Sequence, residues 1–393
     1  MIELNKQQQL AVKLGSSWFE TLPKQVFEIA GYAGTGKTTI VNAIIEECGL
    51  SLEEVLFTAY VGKAAMVLSM KGIPAKTIHS TFYNVIDVPK EDENGDIVVK
   101  DGHVVMTKRF VKKRRLDKKI RLIVVDEASM INSELKKDIL SFNIPTIVLG
   151  DLHQLPPVFG DPVFLVKPDV TLTEIMRQQE GNPIIHLATM ARERKWNEFY
   201  KFGAIGTGAL ICKKNDLIRY DSLLRNANII ICAKNRTRED LNQYVRKEIY
   251  GILPEHVTNG DKLICRRNNW GETIGDDIFL VNGMIGFVRD INFETYNKNS
   301  IEIEFSPEFM PDRSFKNLVV DFNYFTTPYG LKKNYFSRYN LFDFGYAVTA
   351  HLSQGSQYDK VVVYNERMGD DEFYSKWLYT AITRAIHKIV IAM

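Results

Sequence analysis

Short runs of apolar, mostly β-branched residues recur along the first half of the chain, and each run is followed by polar or glycine residues. These runs are 26–30 (Val-Phe-Glu-Ile-Ala), 122–125 (Leu-Ile-Val-Val) and 146–149 (Thr-Ile-Val-Leu). Continuous apolar runs of this length are typical of strands that are buried on both faces of a parallel sheet. A stretch with helical character over 37–47 follows the first run, and such alternation predicts an α/β fold.

The same pattern returns in the second half of the chain. Buried strands are predicted at 228–233, Val361–Tyr364 and Lys388–Ile391, and a helix is predicted over 236–250. These elements predict a second α/β unit with its own parallel sheet.

A first interruption of the α/β pattern lies between residues 86 and 120. Two β-rich runs, Ile97–Val99 and Val104–Met106, flank Asp101-Gly102. An Asp-Gly pair between two such runs is a strong hairpin signal, so this stretch predicts a small β-hairpin insertion.

A second interruption, β-rich and aromatic, spans 261–340. Asn282-Gly283 predicts another hairpin, and residues 301–305 alternate with the period of a strand. The aromatic-rich segment 322–346 either packs this insertion or contacts the first one, and packing is the preferred interpretation. The stretch is predicted to form a small β-barrel-like domain inserted into the second unit.

The pattern therefore predicts four regions. They are a first α/β domain (1–85 and 121–170), a hairpin insertion (86–120), a second α/β domain (171–260 and 341–393) and an inserted β domain (261–340).

Composition adds the class of protein. Of the 393 residues, 45% are hydrophobic and 25% are charged, which excludes a disordered chain and a disulfide-rich miniprotein. The 50 Lys and Arg residues against 48 Asp and Glu residues give a net charge of +2, which alone favours an enzyme with small-molecule substrates. No apolar run is long enough to span a bilayer, and residues 1–6 lack the apolar core of a signal peptide. We expect a cytoplasmic protein (the host cytoplasm if phage-encoded) without a membrane partner.

Charged residues are unevenly distributed along the chain, which the net charge does not show. Residues 91–96 are acidic, whereas 108–121 contains nine basic residues in fourteen positions. A basic run is often a solvated face, but beside a hairpin insertion it is also a candidate for contacts with nucleic-acid phosphates.

The clearest chemical motif is Gly31-Tyr32-Ala33-Gly34-Thr35-Gly36-Lys37-Thr38, a complete phosphate-binding loop between a predicted strand and a predicted helix. Backbone N–H groups of such a loop point at phosphate oxygens, and the following helix adds its positive N-terminal end. Lys37 is expected to reach the β- and γ-phosphates of ATP, and Thr38 to ligate Mg²⁺. The nucleotide-binding residues predicted here are Gly34, Thr35, Gly36, Lys37, Thr38 and Thr39.

Two further strand ends carry matching polar residues. Asp126-Glu127 follows the strand over 122–125, so Asp126 is expected to hold Mg²⁺ and Glu127 to orient or deprotonate the attacking water. Gln154 follows the strand over 146–149 and is a candidate sensor of the γ-phosphate. Phosphoryl transfer also needs positive charge on its transition state, for which Arg177 and Arg384 are candidates, although neither stands out without context.

These motifs, in this order and spacing, resemble those of superfamily 1 helicases, specifically the RecD/Dda-like group that moves 5′ to 3′. The small phage members are nearest in size and layout. The motifs that carry the resemblance are Leu4-Asn5-x-x-Gln8-x-x-Ala11, the phosphate-binding loop, Asp126-Glu127-Ala128-Ser129, Gly150-Asp151-x-x-Gln154-Leu155-Pro156-Pro157, Thr349–Ser356 and Tyr379–Ala385. Together they cover nearly the whole chain.

The resemblance implies two RecA-like P-loop NTPase domains with ATP between them. It implies that Gln8 binds the adenine edge, that Gln154 contacts the γ-phosphate, and that Arg177 and Arg384 are arginine fingers. Ser353 and Gly355 are implied to couple the nucleotide to nucleic acid. The implied activity is ATP-dependent 5′-to-3′ unwinding of DNA by a functional monomer, with single-stranded and tailed duplex DNA as partners and replication or recombination proteins as candidate partners.

Two positions depart from the pattern of the group. Leu352 stands where a lysine is usual, which removes a possible phosphate contact. Tyr60-Val61-Gly62-Lys63-Ala64-Ala65 replaces the usual Pro-Thr-Gly-Lys-Ala-Ala, and Tyr60 is a candidate for stacking on a base instead.

Single-stranded nucleic acid is gripped by backbone contacts together with stacking surfaces. The residues implied to contact the strand are Tyr60, Lys63, His79, Phe82, Thr349 and His351. For Phe82 the alternative is a core aromatic, and for His351 it is a structural histidine. The hairpin at 97–106 is the expected separation pin, with an ordinary surface hairpin as its alternative.

Two other functions stay open on sequence grounds. A translocase that strips bound proteins without efficient unwinding would use the same motor residues. A P-loop kinase is a remote alternative, because it needs neither two α/β halves nor two distal arginines.

Overall fold

The computed structural model describes most of the chain in two compact units. The described residues are 4–60, 62–70, 72–89, 96–97, 99–100, 103–104, 106–156, 163–174, 182–202, 204–205, 208–253, 257–275, 278–297, 299–332, 335 and 337–393. Unit 1 comprises Met1–Leu152 and Pro156–Arg177, and unit 2 comprises His153–Leu155 and Gln178–Met393.

Unit 1 is built on a six-stranded parallel sheet with the strand order β10-β1-β9-β8-β2-β3. Its elements are α1 (Lys6–Thr21), β1 (Val26–Gly31), α2 (Lys37–Glu47), β2 (Val55–Ala59), α3 (Gly62–Met70), β3 (Ala75–Thr77), α4 (Ile78–Phe82), β4 (Tyr83–Pro89), β5 (Val99–Lys100), β6 (His103–Val104), β7 (Met106–Lys112), β8 (Leu122–Asp126), α5 (Ser133–Leu140), β9 (Thr146–Gly150) and β10 (Val170–Leu172). The predicted strands and the helix over 37–47 are therefore present, with bounds within about one residue.

The apolar strands of this sheet are buried because helices and loops cover both of its faces. One core contains side chains of α1 and α2 together with Phe27, Ile29 and Val124. The other core contains side chains of α4 and α5 together with Ile123 and Val125. Neighbouring residues of one strand thus enter different cores, which explains why the strand sequences are apolar at consecutive positions.

The first insertion is a β-ribbon, which we define as β4 and β7 together with β5 and β6. Strands β4 and β7 pair antiparallel from Tyr83↔Lys112 to Pro89↔Met106, and β5 pairs with β6 through Val99↔Val104. The predicted hairpin is thus the outer part of a longer ribbon that begins at Tyr83, and its turn residues Asp101 and Gly102 lie outside the described residues.

The root of the ribbon is fixed to unit 1 by polar contacts. The Tyr83 hydroxyl donates to Asp138 on α5 at 2.6 Å, and Lys112 forms an ion pair with the same carboxylate at 3.2 Å. The Lys113 ammonium donates to the carbonyl oxygens of Ser80 and Thr81 at 3.1 and 2.7 Å. The two strands therefore leave unit 1 from a fixed position.

Unit 2 contains a second six-stranded sheet with the order β11-β12-β23-β22-β13-β21, in which only β11 is antiparallel to its neighbour. Its elements are α6 (Pro183–Arg192), β11 (Ala204–Ile205), β12 (Ala209–Cys212), α7 (Lys214–Arg219), α8 (Asp221–Arg225), β13 (Ile229–Cys232), α9 (Asn235–Tyr244), β14 (Lys262–Cys265), β15 (Asn269–Ile274), β16 (Ile278–Leu280), β17 (Ile285–Asn297), β18 (Ser300–Pro307), β19 (Phe315–Asp321), α10 (Phe322–Thr326), α11 (Tyr329–Lys332), β20 (Phe342–Phe344), β21 (Ala347–Thr349), α12 (Ala350–Ser353), β22 (Tyr358–Tyr364), α13 (Asp371–Ile382) and β23 (Ala385–Ala392). The helix predicted over 236–250 continues beyond α9 as a π-helical turn, Val245–Ile249.

The inserted β domain is a five-stranded antiparallel sheet with the order β19-β18-β17-β14-β20, accompanied by the two-stranded sheet β15-β16. The hairpin predicted at Asn282-Gly283 is wrong. The turn is present, with Gly283 at φ +86°, but β16 before it pairs with β15, whereas β17 after it pairs with β14 and β18. The chain changes sheets at this turn, which turn residues alone do not reveal.

A buried ion pair fixes the inserted domain to the π-helical turn. The Arg246 guanidinium donates from two nitrogens to Asp261, each at 3.0 Å, and both side chains are completely buried. Tyr346 and the backbone N–H of Thr258 donate to the same carboxylate at 3.0 and 2.8 Å, and the guanidinium lies 3.7 Å from the ring centroid of Phe344. The carboxylate and the cation are thus each held by several partners, as buried charges require.

The boundary predicted at 170/171 is also displaced. Strand β10 pairs with β1 in the sheet of unit 1, through Ile29↔Val170 and Gly31↔Leu172. The first unit therefore extends beyond residue 170. Among the described residues, no helix combines the length and the apolar character that crossing a bilayer requires.

Candidate functional site

The phosphate-binding loop joins β1 to α2 in unit 1. Gly34 and Gly36 have φ values of +84° and +80°, a backbone conformation that side chains other than glycine rarely adopt. Thr35 is almost fully buried, and its hydroxyl donates to the Tyr32 carbonyl oxygen at 2.9 Å. The loop thus has the glycine-dependent curvature that lets N–H groups surround a phosphate group.

Lys37, the lysine predicted to contact the phosphates, is the first residue of α2. Lys37 Nζ donates to the carbonyl oxygens of Gly31 and Tyr32, at 2.7 and 3.1 Å. Thr38 and Thr39 follow in the first turn of the same helix and are half-buried. The positive end of α2 and the ammonium group therefore lie together at the loop, where both favour an anionic ligand.

Gln8 lies in the first turn of α1 and contacts the loop directly. Its amide Nε2 donates to the Thr35 carbonyl oxygen at 3.1 Å, and its Oε1 accepts from the Asn5 backbone N–H at 3.0 Å. The Asn5 side chain in turn accepts from the Gln8 backbone N–H, which completes a capping box at the start of α1. Gly36 is required by its φ value, and a Cβ atom there would also lie 2.7 Å from Gln8 Nε2, so it would displace the Gln8 amide.

Asp126 and Glu127 lie at the carboxyl end of β8, on the same edge of the sheet as the loop. Strand β9 lies between β1 and β8, so the three strand ends are consecutive along the sheet. Asp126 accepts from the Glu127 backbone N–H at 2.9 Å, and Glu127 has a φ of +54°. A non-glycine residue in the left-handed region stores backbone strain, which clusters at functional sites.

The residues present fit a magnesium ion in the chemistry of their donor atoms. Thr38 offers a hydroxyl in the first turn of α2, and Asp126 offers a carboxylate at the end of β8. Mg²⁺ takes hard oxygen ligands and is usually bound by one or two protein groups together with substrate phosphates. These two residues are therefore suitable ligands for the ion that accompanies ATP.

Gln154 belongs to the short segment His153–Leu155, which is part of unit 2. The Leu155 backbone N–H donates to the Thr380 hydroxyl at 3.0 Å, and the Leu155 carbonyl oxygen accepts from Gln354 Nε2 at 3.1 Å. Gln154 itself is buried, and among the described residues its Oε1 has no hydrogen-bond partner. Its neighbours in unit 2 thus fix the backbone of this glutamine.

The two predicted arginine fingers differ in what the structure describes. Arg177 lies outside the described residues. Arg384 is buried in unit 2, where its guanidinium donates to the carbonyl oxygens of Thr380 and Ser356 and to the Thr383 hydroxyl, at 3.0, 3.2 and 3.1 Å. Three of its five N–H donors are engaged within the unit, so the side chain has a fixed orientation.

Phe82 does not fit its expected role as a nucleic-acid contact. It is completely buried and packs against Phe142, with ring centroids 5.5 Å apart. A side chain with no exposed surface cannot contact a nucleic-acid strand, so the alternative of a core aromatic is correct in this structure. His79, one turn earlier on α4, lies 5.6 Å from the ring of Tyr83 and 5.2 Å from that of Phe110.

The remaining candidates for nucleic-acid contacts lie on both units. Tyr60 is half-buried at the end of β2, and burial raises the pKa of its hydroxyl. Lys63 is on α3, but its side chain lies outside the described part of the chain. Burial lowers the pKa of both His79 and His351, which favours the neutral form of each ring. Thr349 is buried at the residue before α12.

Leu352, which replaces a usual lysine of the helicase group, has a packing role. Its side chain contacts the main apolar core of unit 2, which contains Leu155, Ile382 and Trp377. Leu352 therefore lies on the core side of α12. A lysine at this position would have to extend its ammonium group past the core to reach solvent.

Sequence reasoning missed one contact beside the loop. Gln7 accepts from the backbone N–H groups of Thr173 and Glu174, and it donates to the Thr173 hydroxyl. The three consecutive glutamines at 7–9 are the only sequence signal for this contact, and they do not specify a partner 166 residues away.

Two family models match the chain. One, described as an AAA domain, matches residues 3–204, which is just over half of the chain. The other, described as a UvrD-like helicase C-terminal domain, matches residues 344–392. The two matches correspond to the phosphate-loop half of the chain and to its last strands and helices.

Curated relatives include two helicases. The chain is 24% identical over 415 residues to the ATP-dependent DNA helicase Pif1 of Campylobacter jejuni, covering 91% of this chain and 86% of that protein. It is 30% identical over 245 residues to the ATP-dependent DNA helicase dda of Enterobacteria phage T4, covering 56% of this chain and 52% of that protein. The chain spans only 37% of the length of a further curated relative.

Among solved structures, the chain is similar to Bacteroides Pif1 bound to single-stranded DNA. The TM-score is 0.58 at 19% identity, and the match covers 100% of this chain and 93% of that one. This likeness confirms the predicted fold of two RecA-like α/β domains with inserted β elements. The AAA domain model matches more than half of the chain, and the chain therefore belongs to the family that this model describes.

Proposed function

We propose that this chain couples ATP hydrolysis to 5′-to-3′ movement along single-stranded DNA and separates duplex DNA at the β-ribbon. One observation carries the proposal: a complete phosphate-binding loop opens α2 in a sheet whose neighbouring strand ends bear Gly150-Asp151 and Asp126-Glu127. The relatives named above are ATP-dependent DNA helicases, which supports the same activity here.

The proposed ATP site assigns a distinct task to each group. Lys37 and the N–H groups of the loop bind the phosphates, and Gln8 contacts the adenine edge with the second hydrogen of its amide. Mg²⁺, held by Thr38 and Asp126, would neutralise phosphate charge during transfer. Glu127 orients or deprotonates the attacking water. Its strained backbone holds the glutamate side chain at the end of β8.

Three further side chains complete the proposed hydrolysis machinery. Gln154 senses the γ-phosphate, and its buried, unpartnered amide oxygen supports a polar role at this position. Arg177 and Arg384 supply positive charge to the transferring phosphoryl group. Among the described residues, three of the five N–H donors of Arg384 are engaged within unit 2, which leaves two donors for the phosphoryl group.

The proposed strand contacts are Tyr60, Lys63, His79, Thr349 and His351. A neutral histidine serves a DNA strand through stacking and hydrogen bonding, and not through its charge, because protonation at a buried ring is disfavoured. His79 has one ring neighbour at the root of the ribbon, Tyr83, and another on β7, Phe110. The proposed DNA contact at His79 therefore lies beside the ribbon, the proposed element of strand separation.

The ribbon has the surface expected of a separation element. Its exposed apolar side chains among the described residues are Val85, Ile86, Val104, Phe110 and Val111. The partner that we propose for these apolar side chains is the end of a base-paired stack. The basic side chains of β7 and the segment after it would hold duplex or tail phosphates, and Arg109, Arg114 and Arg115 are exposed without an ion-pair partner among the described residues.

The experiment that tests the proposal compares duplexes with a 5′ tail, a 3′ tail and no tail. ATP-dependent unwinding is expected only from the 5′ tail, and Lys37→Ala is expected to abolish both unwinding and ATP hydrolysis. Unwinding from the 3′ tail alone would contradict the polarity. ATP hydrolysis that is stimulated by single-stranded DNA without unwinding would identify a translocase, and hydrolysis indifferent to DNA would favour a kinase.

The ribbon is tested separately from the motor. A variant that replaces residues 99–104 with a two-residue turn should retain ATP hydrolysis stimulated by single-stranded DNA and lose unwinding. A parallel loss of both activities would argue against a separation role for the ribbon.

A further inference from the structure

Hydrogen bonds around Leu155 join segments of unit 2 that are remote from one another in the sequence. The segments are 153–155, the residues 354–356 that follow α12, and 380–384 at the end of α13. Two of them carry a side chain with a proposed part in hydrolysis, Gln154 in the first and Arg384 in the last. The residues that connect the segments have no role assigned so far.

Thr380 bonds to two of these segments at once. Its hydroxyl oxygen accepts from the Leu155 backbone N–H at 3.0 Å, and its carbonyl oxygen accepts from Arg384 Nε at 3.0 Å. Thr380 and Leu155 are both completely buried, so the Leu155 N–H depends on this hydroxyl for its bond. One residue thus fixes both the backbone next to Gln154 and the direction of the Arg384 guanidinium.

The segment 354–356 bonds to the same two places. Gln354 is completely buried, and its Nε2 donates to the Leu155 carbonyl oxygen at 3.1 Å. Arg384 Nη1 donates to the Ser356 carbonyl oxygen at 3.2 Å. The connections therefore close into a ring through Leu155, Thr380, Arg384 and the segment 354–356. Because buried hydrogen bonds are costly to leave unmade, such a ring holds its members at fixed separations.

Gln154 directly precedes the residue that this ring holds. We propose that Thr380 is a positioning residue: its hydroxyl holds the Leu155 backbone, and with it Gln154, at a fixed separation from Arg384, so that both side chains act on the same phosphoryl group. This inference rests on the roles proposed above for Gln154 and Arg384. Among the described residues, the buried amide oxygen of Gln154 has no hydrogen-bond partner, so the backbone beside it carries the restraint.

A positioning role makes a specific kinetic prediction for Thr380→Val. This change replaces the hydroxyl with a methyl group of similar shape and keeps the carbonyl oxygen that binds Arg384, so it removes only the bond to Leu155. A misplaced group that acts on the transition state lowers kcat and leaves the KM for ATP nearly unchanged. A misplacement of about 1 Å costs about a hundredfold in rate. Because Gln354 still holds Leu155, we expect kcat for DNA-stimulated ATP hydrolysis to fall only about tenfold.

Two variants separate positioning from a loss of stability. Thr380→Ser keeps the hydroxyl and should retain most of the wild-type kcat. Ser375→Ala removes another buried hydroxyl of α13, which donates to the Ala191 carbonyl oxygen at 2.8 Å, and it should lower the urea midpoint about as much as Thr380→Val while leaving kcat unchanged. An equal loss of kcat in Ser375→Ala, or a Thr380→Ser protein as slow as Thr380→Val, would overturn the inference. Thr380→Ala removes the same acceptor and takes the place of Thr380→Val if that protein does not fold.

A double substitution separates the inference from the proposed function. In a Gln154→Ala background, Thr380→Val should cause no further loss of kcat, because the side chain that the hydroxyl positions is absent. A full additional tenfold loss would show that Thr380 acts elsewhere and would overturn the inference. If Gln154→Ala lowers kcat but Thr380→Val does not, the inference fails and the proposed function stands. If Gln154→Ala retains the wild-type kcat, the proposed role of Gln154 fails, and the inference fails with it.

Discussion

Substitution of Gln8 tests whether the carboxamide that joins α1 to the phosphate-binding loop stabilises unit 1. Only 3% of the Gln8 side chain is exposed, and Gln8→Ala removes a donor to the Thr35 carbonyl oxygen at 3.1 Å and an acceptor from the Asn5 N–H at 3.0 Å. A lost hydrogen bond costs about 1 kcal/mol net, and about 1–3 kcal/mol when the remaining partner stays buried and unpaired. Thr35 is buried and Asn5 is half-buried, so water replaces only the second bond.

The free energy of unfolding of Gln8→Ala should therefore fall by about 2–4 kcal/mol, measured by urea denaturation. Gln8→Glu should lose at least as much at pH 7, because it keeps the acceptor but sets a carboxylate against the Thr35 carbonyl oxygen. This loss should shrink as the pH falls, since a protonated carboxyl group regains a donor. Gln9→Ala, which removes an exposed glutamine of the same turn, is the matched control.

A Gln8→Ala protein as stable as Gln9→Ala would refute the assignment of stability to these two bonds. The adenine contact proposed for Gln8 has a separate readout. If Gln8 also contacts the base, the KM for ATP should rise more than the KM for UTP. Equal increases would assign Gln8 to the loop alone.

Three further predictions concern the inserted domain, the ribbon and the pH dependence of stability. Arg246→Met leaves the Asp261 carboxylate buried without its cation and should lower the unfolding free energy by about 3–5 kcal/mol in urea, whereas combining it with Asp261→Leu should recover much of that loss. Tyr83→Phe removes the bond to Asp138 and should reduce unwinding of a tailed duplex more than DNA-stimulated ATP hydrolysis; equal losses would contradict a role of the root in separation. Burial lowers the pKa of His79, so the unfolded state takes up the proton first, and stability should decline as the pH falls below about 6.5. His79→Phe should flatten this decline in pH-dependent urea titrations, and an unchanged slope would exclude His79 as its source.

The parallel sheets could be predicted from sequence because local pattern and tertiary burial agree there. Residues 122–125 are apolar at every position, and the strand that they form is covered on both faces. The helix over 37–47 was equally predictable, because it directly follows a complete phosphate-binding loop and such a loop leads into a helix. Local chemistry determines these elements almost completely.

The errors occurred where a partner distant in sequence decides the structure. The Asn282-Gly283 turn forms as expected, but which strands pair on either side of it depends on β14 and β18. Nothing in the sequence of Val170–Leu172 indicates that this segment pairs with β1 and not with a strand of the second sheet. Phe82 lies between Thr81 and Tyr83 in the sequence, and both of these side chains carry a hydroxyl group. Phe82 is nevertheless buried against Phe142, which is sixty residues later in the chain.

The candidate site was predictable as a set of residues but not as a set of contacts. The phosphate-binding loop and the acidic strand end predicted roles for Lys37 and Asp126, and the helicase resemblance implied one for Gln8. They did not show that the carboxamide of Gln8 is engaged by the chain itself or that Gln7 binds the end of β10. A carboxamide both donates and accepts at many angles, so its partner follows from the packing and not from its position in the sequence.

Both insertions leave and rejoin the chain on paired strands. Tyr83 pairs with Lys112 at the base of the ribbon, and Leu263 pairs with Phe344 where the inserted β domain begins and ends. The two chain ends of each insertion are thus neighbours, and a short turn can close either gap. Because the entropy cost of a closed loop rises only slowly with its length, the outer part of either insertion can be shortened, lengthened or exchanged between homologues while the contacts of Tyr83 with Asp138 and of Arg246 with Asp261 are kept. The two α/β units are therefore a platform on which evolution, or a protein engineer, can change the inserted parts one at a time.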